Sequence, residues 1–301
     1  MAPTVARDWT GGWADLRRSA EILLIVARRE LLTEMRQRNK FILDLTGHVL
    51  GLLPVLITAW AATGGATGAA GRAGPAHALL DETNWLTFVV LGYVAFAAYG
   101  VASPVISFTG MAFALQSEQT TGTLERSLLA PAPRIAVVLG TGLYYTALYL
   151  FHVVSLLAVS ALFLNLDVTW SPGAAARAAL VLALIFLMSI GFGILSTAVL
   201  LAWKDQSLMM ILVHRPMLLL SGAYFLIPTV PEPFRTLAWF NPIAYAVDAF
   251  RGSLTGVTIL LPLDVELWIL AATSGGITLG GLGLFNLLMA RWMRSGSLGT
   301  H

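Results

Sequence analysis

The sequence contains no cysteine, so disulfides and thiolate metal sites are excluded and thiols say nothing about a redox compartment. Charge is scarce as well. Asp, Glu, Lys and Arg make up 11% of the 301 residues, where an ordinary soluble domain carries about 25%. With 57% hydrophobic residues, a soluble fold would have no polar surface to turn toward water. Only two lysines occur, Lys40 and Lys204, and neither lies in a Gly-x-x-x-x-Gly-Lys-Ser/Thr loop, whose amides and lysine surround a nucleotide's phosphates. No basic-aromatic surface accompanies the net charge of +2, which argues against nucleic acid as a partner.

What is present in quantity is apolar sequence in runs of about 20 residues or more, the length a helix needs to cross a hydrocarbon core about 30 Å thick. The fold class expected is an all-α integral membrane protein with six transmembrane helices, an N-terminal amphipathic interfacial helix and short re-entrant helices before the last span. Residues 1–40 hold Arg7, Arg17, Arg18, Arg28, Arg29, Arg36, Arg38 and Lys40, eight of the eighteen basic residues. Charges interrupt the apolar run at 22–27 and no small-residue cleavage site follows it, so a secretory signal is not expected. Ala20, Leu23, Leu24, Ala27, Leu31 and Met35 recur at helical spacing, which predicts an amphipathic helix on the inner membrane face.

The expected six-span domain covers 41–294, with a short cytoplasmic tail at 295–301. The first span is placed at 41–63, with Asp44 and His48 near its inner end and Pro54 as a kink. After an outer Gly/Ala-rich loop, 64–84, a long apolar stretch runs from 85 to 116 and is bent or divided at Pro104. A polar segment, 116–134, precedes spans at 135–164 and 178–203. The fifth is placed at 207–227, after which Pro228, Pro231 and Pro233 cannot share one helix. An outer re-entrant segment, 228–262, leads to the sixth span, 267–290. Lys and Arg count thirteen on the inner side of this topology and four on the outer side, matching the enrichment of basic residues in cytoplasmic loops. Trp60, Trp85, Trp170, Trp203, Trp268 and Trp292 fall near span ends, where an indole sits best. Both termini are then cytoplasmic, and the chain belongs in the inner (cytoplasmic) membrane.

Several residues admit two readings. Arg215, between His214 and Pro216, either snorkels or pairs within the bundle, or lines a translocation pathway and meets an anionic headgroup. Asp44 and His48 share a helix face four residues apart, as an interfacial pair or as a proton relay. Gly276 and Gly280, with Gly275, Gly281 and Gly283 nearby, serve close helix packing or a dimer seam. His152 reads as a bonded histidine within the bundle. No Ser-His-Asp, paired-carboxylate or metal-ligand constellation emerges on this topology, so no active site is expected.

The segment 116–134 reads as a membrane-anchored cytoplasmic loop or as a docking helix whose charged face meets a partner. Its Glu-x-x-x-Gly-Thr-Leu-Glu pattern, Glu118, Gly122, Thr123, Leu124 and Glu125, followed by Leu128, Leu129 and Pro131, resembles the cytoplasmic coupling loop of type-2 ABC-transporter permeases. The stretch FNPIAYAVDAFRGSL at 240–254 is similar to that family's Asn-Pro-x-x-Tyr signature, carried here by Asn241, Pro242, Tyr245, Asp248 and Arg251. The resemblance implies two permease subunits, identical or paralogous, on two ABC ATP-binding subunits that use ATP and Mg, with no cofactor bound by this chain itself. It further implies export of an amphipathic drug or lipid, or alternatively of a lipid-linked polysaccharide. A membrane enzyme or assembly factor without an ATPase is the competing class, and it requires polar groups converging at one membrane face.

Overall fold

The computed structural model describes residues 13–36, 82–98, 134–163, 166, 168–169, 171–203, 213 and 215–295, with 42, 46, 50, 53 and 57 described singly. Among the described residues there are eight α-helices and no strand. They run α1 (Trp13–Arg36), α2 (Glu82–Ala98), α3 (Arg134–Phe163), α4 (Pro172–Trp203), α5 (Arg215–Leu219), α6 (Phe234–Trp239), α7 (Pro242–Thr255) and α8 (Leu263–Ser295), with a 3-10 turn at Ile227–Thr229. Asp44, His48, Pro54, Pro104 and His214 lie outside the described residues, as does the expected coupling segment up to residue 133, with Glu118, Gly122, Thr123, Leu124, Glu125 and Leu128.

Two stretches are apolar over a bilayer's width: 28 residues at Pro172–Val199, with mean hydropathy 2.7, and 29 residues at Leu263–Arg291, with mean hydropathy 1.5. At 1.5 Å per residue each is about 42 Å long, more than the roughly 30 Å of a hydrocarbon core. Both helices begin earlier than hydropathy suggests. Ser171 accepts a hydrogen bond from the Ala174 amide at 3.1 Å and Pro172 occupies the first turn, a cap and a preset φ that start α4 six residues before the expected 178. Likewise α8 starts right after Pro262, with Asp264 and Glu266 in its first turn, where carboxylates complement the helix dipole.

The α4–α8 pair is the most extensive helix contact among the described residues. Ser274 Oγ donates to Leu184 O at 3.0 Å and Thr278 Oγ1 to Leu187 O at 3.1 Å. A Cβ on Gly191 would sit 2.7 Å from Thr278 Oγ1 and 2.8 Å from its backbone nitrogen, and one on Gly281 would sit 2.9 Å from Gly191 O. Small residues thus bring the backbones together and hydroxyls bond across them, as helix pairs in membranes require. The expected packing site at Gly276 and Gly280 is corrected by this geometry. A Cβ at Gly275, Gly276, Gly280 or Gly283 would meet nothing within 4 Å, and the seam runs through Gly281 instead.

Helix α2 is buried along the whole of 87–97, and α7 along 243–254. Leu91 and Val94 of α2, Leu156 of α3, Ile185 of α4, Phe250 of α7 and Leu270 of α8 meet in one core. A helix that is apolar on all sides belongs in such a position. Helix α1 packs against α3, close enough that a Cβ on Gly140 would sit 2.7 Å from Val26 Cβ and 2.9 Å from Leu23 O. Leu24, Ile25, Leu31 and Leu32 of α1 stay exposed, leaving an apolar surface for lipid on the helix expected to be interfacial.

The fifth span does not run to Ile227 as one helix. Helix α5 ends at Leu219, and Gly222 then takes φ +68°, a left-handed conformation that favours glycine. Pro228 enters the 3-10 turn, Pro233 precedes α6 and Pro242 opens α7, so the prolines divide the chain as expected.

Candidate functional site

The sequence Asn241-Pro242 starts α7 by two means: Pro242 presets φ at the first turn, and Asn241 Oδ1 accepts the Ile243 amide at 3.1 Å. Asn241 Nδ2 reaches in the other direction and donates to Met217 O of α5 at 2.6 Å. One turn on, the Tyr245 hydroxyl donates to Trp239 O of α6 at 2.7 Å. Asp248 Oδ2 accepts the amides of Ile259 and Leu260, both at 2.7 Å. Gly256, at φ +79°, closes the helix by donating to Gly252 O at 2.9 Å. Three of the five signature side chains, Asn241, Tyr245 and Asp248, therefore bond other elements or the helix's own cap, and Pro242 sets its start.

Arg251 is the fifth, and it is buried. Its Nε donates to Phe88 O at 2.8 Å, its Nη2 donates to Ala223 O at 2.7 Å, and its Cζ lies 3.5 Å from the centre of the Phe88 ring. Two carbonyls and a π face replace the water the guanidinium has lost. Gly92 makes this possible: a Cβ there would run into the guanidinium and the Ala223 carbonyl. Thr169 adds a further tie, donating from its amide at 2.8 Å and its hydroxyl at 2.6 Å to Leu254 O. Just before the exposed α6, Glu232 accepts from Arg235 Nε at 2.7 Å and from Thr236 Oγ1 at 2.6 Å. The Thr236 hydroxyl bond first, then that of Arg235, hold the Glu232 carboxyl below the usual carboxylate range.

Arg215 begins α5 and is exposed, and none of these bonds reaches it. Sequence reasoning missed Gly92, Thr169 and Glu266. The last is buried, and its signal was an acidic residue at the head of an apolar helix. The Glu266 and Asp248 carboxyls accept the adjacent amides of Leu261 and Leu260, a juxtaposition that sequence reasoning did not anticipate. Asp248, Arg251, Phe88, Ser221 and Ile259 border an open cavity of about 10 Å³. Pockets that enclose organic ligands run from about 300 Å³ upward, so this one suits water or a small ion rather than cargo.

Long apolar helices, a buried polar network and short helices between two long ones define a multi-pass helical membrane protein. The ABC-2 type transporter family model matches residues 23–255, and the chain belongs to this family. It is the membrane subunit of an ABC transporter, a transport component rather than a catalytic one, and permeases of the family work with ABC ATP-binding subunits. The match includes the whole of α7 and ends where that helix ends. None of the curated proteins matches the chain.

Proposed function

We propose that this chain is the permease of an ATP-driven exporter that moves an amphipathic drug, lipid or similar cargo outward across the cytoplasmic membrane. Six spans form the pathway, with α6 and α7 as re-entrant or interfacial helices on the outer side and both termini inside. Two ABC ATP-binding subunits hydrolyse ATP with Mg, and a second permease, identical or paralogous, completes the pathway. The segment carrying Glu118, Gly122, Thr123, Leu124, Glu125 and Leu128 seats in a groove of the ATPase and passes its closure to the spans. Arg215 is assigned to the translocation pathway, where a guanidinium offers an anionic headgroup a bidentate partner.

The observation that carries this reading is the family match, which takes in both the 116–134 segment and the signature helix. Co-purification with the nucleotide-binding subunit tests it. Glu118→Lys together with Glu125→Lys is expected to lower ATP turnover of the complex roughly tenfold, the effect of about 1.4 kcal/mol of lost docking. Unchanged turnover and unchanged complex formation in that variant would overturn the coupling assignment.

A further inference from the structure

The three consecutive amides after α7 are held by two carboxyls. Ile259 and Leu260 donate to Asp248 Oδ2, both at 2.7 Å, and Leu261 donates to Glu266 Oε1 at 3.2 Å. Both acidic residues are buried, Glu266 completely. Glu266 Oε2 finds no donor among the described residues, and the two carboxyls hold consecutive amides, those of Leu260 and Leu261, which sets them side by side. Two ionised carboxylates so placed repel each other, whereas one proton between them makes a bond. Counting charge gives the same answer. Arg251, buried on the same helix and bordering the same cavity as Asp248, balances one negative charge, and a second would be buried uncompensated.

Among the described residues the surroundings supply no other unpaired buried charge. Described side chains of α2, residues 85–97, include no charged residue, and Arg177, the one charged residue among those of α4, is exposed. Arg235 of α6 is half-exposed and paired with Glu232. Asp264 on α8 is exposed, and Tyr245, within electrostatic range of Glu266, keeps its hydroxyl on Trp239 O. The proton belongs on Glu266, whose Oε2 has no donor among the described residues, whereas Asp248 Oδ2 already accepts two short amide bonds.

We propose that Asp248 and Glu266 form a proton-binding site, in which Glu266 donates a single shared proton to Asp248 and so locks the end of α7 and residues 259–261 onto the head of α8. Loss of that proton places two carboxylates in contact and releases the lock, so the segment between α7 and α8 opens as pH rises. The cavity beside Asp248 admits the water that carries the proton.

The full-length permease, purified in nanodiscs, tests this through infrared difference spectra and through heat stability at several pH values. A protonated-carboxyl band is expected at neutral pH, to be lost on alkaline titration and absent in Glu266→Gln and in Asp248→Asn. In the unfolded chain both carboxyls ionise at neutral pH, so the folded protein holds one more proton and its stability falls as pH rises. Glu266→Gln keeps a neutral donor at that position and is expected to remove this alkaline loss, releasing one proton fewer per chain on unfolding than the wild type. Absence of the band in wild type at neutral pH would overturn the proposal, as would an alkaline loss undiminished in Glu266→Gln. Restoration of alkaline stability by sodium, potassium or magnesium ions in wild type but not in Glu266→Gln would assign the site to a metal cation instead and equally overturn it.

Discussion

At the scale of single residues, Arg251 is the side chain on which the signature segment closes. It is 163 residues from Phe88 in sequence and bonds its carbonyl directly. Hydrogen bonds to a charged group contribute about 1.5–3 kcal/mol each, and this guanidinium makes two to carbonyls. Gly92→Ala weighs that contribution against helix propensity. In an exposed helix the change would stabilise by about 1 kcal/mol; here the new methyl group displaces the guanidinium from both carbonyls. A net loss of at least about 2 kcal/mol is expected, read as a lower unfolding midpoint of the purified permease, and a stabilised Gly92→Ala protein would show that Arg251 is not locked. The sequence displayed one half of this arrangement. The signature named Arg251, and Asn241-Pro242 announced a helix start. A lone glycine in an apolar helix, by contrast, carries no mark of what must pass beside it.

Among the helices, the α4–α8 seam shows why an apolar composition alone does not hold a membrane protein together. Lipid chains solvate leucine as well as protein does, so association rests on close packing and on bonds between polar groups. Gly191 and Gly281 supply the first, Ser274 and Thr278 the second. Gly191→Ala forces a methyl group onto the backbone of Thr278 and is expected to destabilise by about 1–3 kcal/mol. Gly276→Ala enters open space and should be neutral, or stabilising by up to about 1 kcal/mol. Thermal unfolding of both variants distinguishes the two faces. A loss at Gly276→Ala accompanied by a smaller dimer fraction would place another permease's helix on that face. Helix limits were legible where local chemistry sets them: α3 ends within one residue of expectation on each side, and the prolines divide the segment after α5. The seam's register was not, because five glycines within nine residues offer several faces and only the partner helix selects one.

For the whole molecule, α3 works as a ruler between two anchor points. Near its start, Gly140 meets Leu23 and Val26 of α1. Just past its end, Thr169 bonds Leu254 of α7. From 140 to 163 the helix rises about 35 Å, comparable with a hydrocarbon core of about 30 Å. A bilayer crossed by α3 therefore has α1 on one side and the end of α7 on the other. The all-helical character was legible because a bilayer leaves backbone polar groups no other partner, and the eight basic residues before residue 41 are the basis of the proposed direction. The absence of cysteine makes that direction directly measurable. Arg36, on the exposed surface of α1, and Val257, exposed after α7, each accept a single cysteine without disturbing the bonds described above. A membrane-impermeant maleimide added to intact cells is expected to label Val257→Cys and leave Arg36→Cys unmodified until the membrane is opened. The reverse pattern would turn the molecule over. Labelling of both from outside would mean that α3 does not separate the two faces, and neither the orientation nor the ruler would survive it.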